Sequence, residues 1–394
     1  MRILATLPVC AIALASCASQ TATAPEAPAP PASAMAALSE YYRAIPQSAL
    51  PTGPVLEPLN ASTPLTRIIV ASCNDEENDN PAFASIADED ADLFLFIGDN
   101  IYGDRNEGGY VNFDVELEEV RESYQDLANT AAYQDIAEAM PILATWDDHD
   151  YGMNDFGRDF AGKILSERIF ENFFHLEEET GDHPGVYYSK MVGPEGQRTQ
   201  IIMLDTRFFR SDLLPTDEYG KTGKERYIPS DDPEQDMLGD AQWAWLEAEL
   251  KKPADLRLLV SSIQITPDVH GWEAWDKLPE ERERLYDLLE DTEAEGVLFV
   301  SGDRHTSFLY KDEDRGPYPY YEITASSLNA AFASEPDSSE VDPRQIGLGY
   351  TFENYGEIEI DWQAGKITLV INDNAGAEVR STELSFDEIG VGRS

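Results

Sequence analysis

From Thr66 onward, runs of apolar residues alternate with stretches in which apolar positions recur every three or four residues. The first kind predicts buried strands and the second predicts amphipathic helices. "TRIIVASC" predicts a strand, a helix follows near Phe83 to Asp90, and "LFLFIGD" predicts a second strand. A long helical stretch is expected near Val115 to Ala139, ahead of a third strand in "PILATWDDHD". Further strands are expected in "GVYYSK", "TQIIMLDTR", "LRLLVSSIQ", "GVLFVSGD", "YYEITASS", "YGEIEIDW" and "KITLVIND". Between them, "LGDAQWAWLEAEL" and "PEERERLYDLLEDTEAE" carry helical spacing, and Pro279 suits the first turn of the latter. Strand and helix alternate early while strands cluster late, which favours one layered α/β domain with mixed sheets over a purely parallel sheet. No internal repeat is visible.

Three of these strands end abruptly in carboxylates: "FIGDNIY" (Phe96 to Tyr102), "TWDDHDYG" (Thr145 to Gly152) and "SGDRHTSF" (Ser301 to Phe308). Asp after a strand is common turn chemistry, so each motif alone says little. Together they suit a two-metal hydrolase, because ligands at the C-terminal ends of neighbouring strands converge in one crevice that the sheet holds rigid. Carboxylates favour hard cations, imidazole suits iron or zinc, and one carboxylate can bridge two ions.

With 394 residues and 42% hydrophobic content, the chain can supply a sizeable core. Its 76 acidic against 28 basic residues give a formal net charge of -48, which repels nucleic acid and anionic lipid. No nucleic-acid binding is expected, and the acid, spread over helices and loops, reads as a solvated shell. The N-terminus has one basic residue, an apolar run and Leu14-Ala15-Ser16-Cys17, the pattern of a lipoprotein signal at 1–16 cleaved before a lipid-bearing Cys17. The alternative is an ordinary secretory signal. Ala18 follows, with no Asp to resemble an inner-membrane retention signal, so the expectation is an exported protein anchored to the outer membrane, facing the periplasm or cell surface. No later stretch is long enough to span a bilayer. Residues 17–36 are Ala- and Pro-rich and read as a flexible stalk, 37–65 as a helix around "LSEYYRAI" and a lead-in, and 66–394 as the main domain. With Cys10 in the signal and Cys17 as the lipid site, Cys73 stands alone in the body and no disulfide is possible there.

In order along the chain, "ASC", "GDNIY", "TWDDHD", "LDTRFFR", "LGDAQWAWL", "WDKLPEERERL", "SGDRH" and "NYGEIEIDW" resemble the motifs of the PhoD-like alkaline phosphatases, a branch of the calcineurin-like metallophosphatases. The resemblance runs from about Thr66 to Asn374. It implies a four-layer αββα sandwich with two mixed β-sheets. It also implies a metal-dependent phosphoester hydrolase that uses a metal-activated hydroxide on small phosphomonoesters, phosphodiesters or both. Larger members carry an extra N-terminal β-domain, where here only the signal, stalk and short helix are expected.

Carried over by position, Asp99 resembles the metal-bridging carboxylate, and Asp148 sits where metallophosphatases usually place a ligating Asn. His149 matches the histidine that protonates the leaving oxygen or steadies the transition state, with Asp150 as its expected orienting partner. Asp303 and His305 match the final ligand pair. Cys73 and Tyr102 resemble the thiolate and phenolate ligands of a ferric ion, with calcium, or another divalent metal, as companion. Read without the resemblance, Cys73 is a small buried hydrophobe, the usual fate of a free Cys, and Tyr102 a core aromatic. Asp147 is either an outer acceptor or a ligand to a second calcium. Arg207 either clamps phosphate or pairs with Asp205 to fix a turn, and Asn154 either donates to a phosphoryl oxygen or caps a turn. Gln264 ends a strand where relatives often ligate through His, which suggests an outer role, whereas His175, His183 and His270 match nothing catalytic and are expected at surface or helix-end positions. Two other functions compete: a phospholipase D-like phosphodiesterase, and a surface lipoprotein that only binds phosphate or metal. The intact ligand set argues against the second. Nothing in the motifs separates monoester from diester or sets an oligomeric state.

Overall fold

The computed structural model describes residues 34–106, 108–332 and 341–392. The signal segment, Cys10, the expected lipid site Cys17 and most of the predicted stalk lie outside the described residues. The N-terminal helix spans Ala34–Ala44, starting before the predicted end of the stalk at residue 36. Tyr42 on this helix is fully buried, and the guanidinium of Arg168 donates to the carbonyls of Tyr42 and Ile45, satisfying acceptors that a helix C-terminus leaves open.

Two mixed six-stranded sheets carry the fold. The first runs in the order Glu378–Ser385, Lys366–Asp373, Asn354–Asp361, Arg67–Ala71, Leu93–Ile97, Ile142–Thr145. Its last three strands are parallel to one another and its first four pair antiparallel. The second runs Phe308–Asp312, Tyr320–Thr324, Val297–Ser301, Leu256–Val260, Thr199–Met203, Tyr188–Val192, with parallel pairing inside and an antiparallel strand at each edge. The parallel strands are buried along nearly their whole length because both faces are covered, and Leu93–Ile97 reads as an unbroken apolar run.

On the outer face of the first sheet, Phe83 of helix Pro81–Ala87 and Tyr133 of helix Ala131–Ala139 pack around Phe96. On the second, Tyr286 of helix Pro279–Asp291 packs against Phe299 and Tyr320. The inner faces meet closely. A side chain at Gly356 would bring its Cβ to 2.9 Å from the Cβ of Ala325 and 3.0 Å from Ile323. This is the expected αββα sandwich. One expected element is divided: the stretch Val115 to Ala139 forms two helices, Glu118–Asn129 and Ala131–Ala139, because Thr130 is extended (φ -71°, ψ 115°).

Candidate active site

The parallel strands of both sheets deliver their C-terminal ends to one crevice. Cys73 follows strand Arg67–Ala71, Asp99 follows Leu93–Ile97, Asp147 and Asp148 follow Ile142–Thr145, and Asp303 and His305 follow Val297–Ser301. Four of these residues hold left-handed backbone conformations that side chains disfavour: Cys73 (φ 57°), Asp99 (48°), Asp303 (66°) and His305 (51°). Such strain persists only where the surrounding structure imposes it, and it concentrates at functional sites. Gly98 (φ 105°) makes the turn into Asp99, where an added Cβ would lie 2.7 Å from that of Asp147. Asp148–Tyr151 is a single helical turn, closed at its start by reciprocal bonds of Asp147 and Asp150 and ended by Gly152 at φ 98°.

Three donor groups share Asp99; one joins it to Asp148 and His149, and the other two differ in chemistry. Cys73, Asp99 and His305 offer ligand atoms within 4.8 Å of one another, and the Tyr102 hydroxyl lies 3.3 Å from His305 Nε2. His305 Nδ1 faces the carbonyl of Ala330, which can only accept; Nδ1 therefore carries the hydrogen and Nε2 keeps its lone pair for a metal. The second group is all carboxylate: Asp99, Asp147, Asp148 and Asp303 lie within the same 4.8 Å limit. Burial and mutual repulsion hold the carboxyls of Asp99 and Asp303 well above the usual range. Burial pushes the Cys73 thiol up to about 12 and the His305 imidazole down to about 4. Asp147 Oδ2 and Asp148 Oδ1 are buried with no hydrogen-bond partner among the described residues. Four crowded acids, three of them buried, with unanswered oxygens suit bound cations, whose charge would reverse the upward shifts of the carboxyls and the thiol and keep His305 neutral. The thiol, phenol and imidazole suit iron, and the all-carboxylate group suits a hard ion such as calcium.

His149 lies beside this cluster. Its Nδ1 sits 2.5 Å from Asp104 Oδ1. Burial opposes the charged imidazole, but Asp148 and Asp104 outweigh it and raise the pKa to about 9. The cluster opens into a pocket of about 230 Å³ that Asp148, His149, Asn154, Asp303 and His305 help to line.

The profile of the PhoD-like phosphatases matches residues 68–370. The chain belongs to that family. It is 24% identical over 286 residues to alkaline phosphatase D of Bacillus subtilis (strain 168), a match that covers 63% of this chain and 47% of that protein. The chain thus spans about half the length of the curated relative it matches. Among solved structures, that of PhoD superposes with a TM-score of 0.65 at 18% identity, covering 83% of this chain and 74% of the other. The purple acid phosphatase PPD1 of yellow lupin (Lupinus luteus) seeds gives 0.53 at 12% identity, covering 83% and 55%. Both likenesses are of fold.

Within this PhoD-like phosphatase, the expected ligands Cys73, Asp99, Tyr102, Asp148, Asp303 and His305 all meet in the crevice. The motif pair Asp303 and His305 divides, the carboxylate joining the acidic group and the imidazole joining the thiol. Other expectations need correction. Asp150 does not orient His149: it accepts from the backbone of Asn100 and Asp147 and from the Tyr124 hydroxyl, and so holds the turn. Asp104 takes the role instead. Arg207 is fully buried; its guanidinium binds Asp147 (Nε to Oδ1 2.6 Å) and Glu273 (2.5 Å), not Asp205 and not the pocket. Asp205 fixes the turn through the backbone N–H groups of Arg207 and Phe208. Asn154 lines the pocket and its Oδ1 accepts from Tyr110, leaving the amide nitrogen to donate. Gln264 is buried, bonding Thr324 and His270. His270 is accordingly interior, not superficial, and burial with Arg304 and Lys277 nearby keeps it neutral. His175 does end a helix, at φ 57°, and His183 stacks on Tyr187.

The sequence reading missed Asp104 and Glu273. Asp104 had one local sign, its place two residues beyond Tyr102 in the same loop, but a Gly-Asp pair reads first as a turn. Glu273 had none.

Proposed function

We propose that this PhoD-like phosphatase hydrolyses phosphoesters with an iron ion held by Cys73, Asp99, Tyr102 and His305, and calcium held by Asp99, Asp148 and Asp303, with Asp147 at the edge of that group. The observation that carries the reading is that a thiol-imidazole group and an all-carboxylate group share Asp99 beside a histidine with a fixed partner. Such ions, when bound, lower the pKa of water and neutralise charge on phosphoryl oxygens. The chain's own residues supply the rest. The crevice holds the reacting groups at the ends of strands that cannot shift. Asp104 fixes the His149 ring through Nδ1, so Nε2 presents its proton to the oxygen of the departing alcohol. Asn154 offers an amide N–H to a phosphoryl oxygen, and Arg207 screens Asp147 from below. The substrates are small phosphomonoesters, phosphodiesters or both; a phospholipase D-like action is the special case of a lipid diester.

The sequence Leu14-Ala15-Ser16-Cys17 supports export and a lipid anchor at Cys17. Loss of membrane association in Cys17→Ala checks it.

The deciding experiment is metal analysis of the purified protein alongside turnover of p-nitrophenyl phosphate and bis-p-nitrophenyl phosphate, before and after chelation. Iron and calcium in the protein, and activity that chelation abolishes and metal restores, are expected. A metal-free protein, or one that hydrolyses neither ester when metal-loaded, overturns the reading.

A further inference from the structure

In a chain of net charge -48, three arginines, Arg105, Arg226 and Arg304, line one pocket. Aromatic rings alternate with them. Tyr110, Trp272 and Phe332 also line it, and Tyr110 and Phe332 are unusually open for their type, 59% and 60% exposed. Arg105 and Tyr110 pair across a two-stranded ribbon, Arg105–Asn106 with Gly109–Tyr110. The Arg105 guanidinium sits 5.1 Å from the centre of the Tyr102 ring and 5.8 Å from that of Tyr110, and it makes no ion pair among the described residues. Arg226 lies 5.6 Å over Trp272. Tyr110 is nearly parallel to the His149 ring (14°, 6.3 Å), and Phe332 is nearly parallel to His305 (16°, 4.7 Å).

Exposed rings beside His149 and the ligand His305 leave flat apolar surface where the alcohol side of an ester must lie. An arginine with no carboxylate ion pair among the described residues, in a protein with so many carboxylates, is available to an anion from outside. We infer that this mouth selects phosphate esters whose alcohol carries a flat ring next to the phosphoryl group, with Arg105 gripping a phosphoryl oxygen and Tyr110 and Trp272 packing on the ring. The inference rests on the phosphoesterase reading and names its substrate class.

Benzyl and cyclohexylmethyl phosphate test it, each as the monoester and as its methyl diester, because the two alcohols match in size and leaving ability and differ in flatness. The native protein should favour the benzyl ester at least about three-fold in kcat/KM, the effect residing in KM, as one ring contact would give. Tyr110→Ala and Trp272→Ala should shrink that preference, and Tyr110→Phe should keep it. Arg105→Ala should raise KM for both alcohols roughly ten- to hundred-fold, the loss expected for one charge-assisted bond, with Arg105→Lys recovering only part. Calorimetric binding of benzylphosphonate and cyclohexylmethylphosphonate, which cannot turn over, gives a second readout and should show the same order. Ready hydrolysis with no benzyl preference, or equal binding of the two phosphonates, overturns the selectivity and leaves the hydrolase standing. No turnover of any ester, with benzylphosphonate still bound more tightly, overturns the hydrolase and keeps the ring-binding mouth.

Discussion

His149 and Asp104 are 45 residues apart in the chain, and their side chains meet at 2.5 Å with both groups buried. The contact makes Asp104 the positioning residue of the site, while the neighbouring Asp150 holds the turn on which His149 stands.

These two carboxylates should therefore fail differently. Asp104→Asn should lower turnover roughly ten- to hundred-fold with little change in melting temperature. Asp150→Ala, which strips the partner from Tyr124 and from the Asn100 backbone, should cost about 2–4 kcal/mol of stability. His149→Ala should reduce turnover by about two to four orders of magnitude while metal content stays intact. Steady-state kinetics, elemental analysis and urea unfolding on the three variants check the division of labour; equal kinetic loss in Asp104→Asn and Asp150→Ala would abolish it.

The thiol and phenol beside Asp99 predict colour. Ferric thiolate and phenolate bonds absorb visible light, so the purified protein should be coloured with no cofactor added. Cys73→Ser should weaken and shift the band, and Tyr102→Phe should remove its phenolate part. A colourless, fully active protein containing only zinc or calcium would refute the iron assignment.

Removing Arg207 should be among the costliest single changes in the molecule. Arg207→Met leaves Asp147 buried without its cation and Glu273 with Arg210 alone, a loss of about 3–5 kcal/mol. The urea midpoint of the metal-free protein reads it. A change below 1 kcal/mol, roughly that of an exposed ion pair, would mean that Arg207 is not the counter-ion of this cluster.

Far from the site, Glu167 in helix Lys163–Phe174 accepts the backbone N–H of Gly185, and burial pushes its carboxyl up to about 8. The fold thus prefers Glu167 protonated. This contribution is fully present below about pH 4.5 and is lost as pH rises to about 8, since the unfolded chain ionises first. Glu167→Gln keeps an acceptor for Gly185 and should remove that part of the decline in stability, measured by thermal unfolding across the window. An unchanged pH profile in the variant would exclude Glu167 as its source.

What could be read before folding was what lies within a few residues. The run "LFLFIGD" announces both a covered strand and the acid at its end, so Asp99, Asp148 and Asp303 were legible together with the sheets that carry them. The partners of those groups were not, because they arrive from distant segments. Asp104 reaches His149 across 45 positions and Arg207 reaches Asp147 across 60. Proximity in sequence even misled, since Asp150 sits next to His149 in the chain while its carboxylate points into the turn. The break at Thr130 was hidden for the opposite reason: apolar spacing continues through it, and only the local backbone departs from the helix.

The left-handed backbones at Cys73, Asp99, Asp303 and His305 bear on how such a protein would decay. Glycine adopts those angles without penalty, so at each position the ligand and the relaxed chain are rival choices. A descendant released from catalysis gains stability by drifting to glycine at these four places, before its apolar strands change at all. Glycines there, in an otherwise recognisable sandwich, would mark a relative that has kept the shape and given up the reaction.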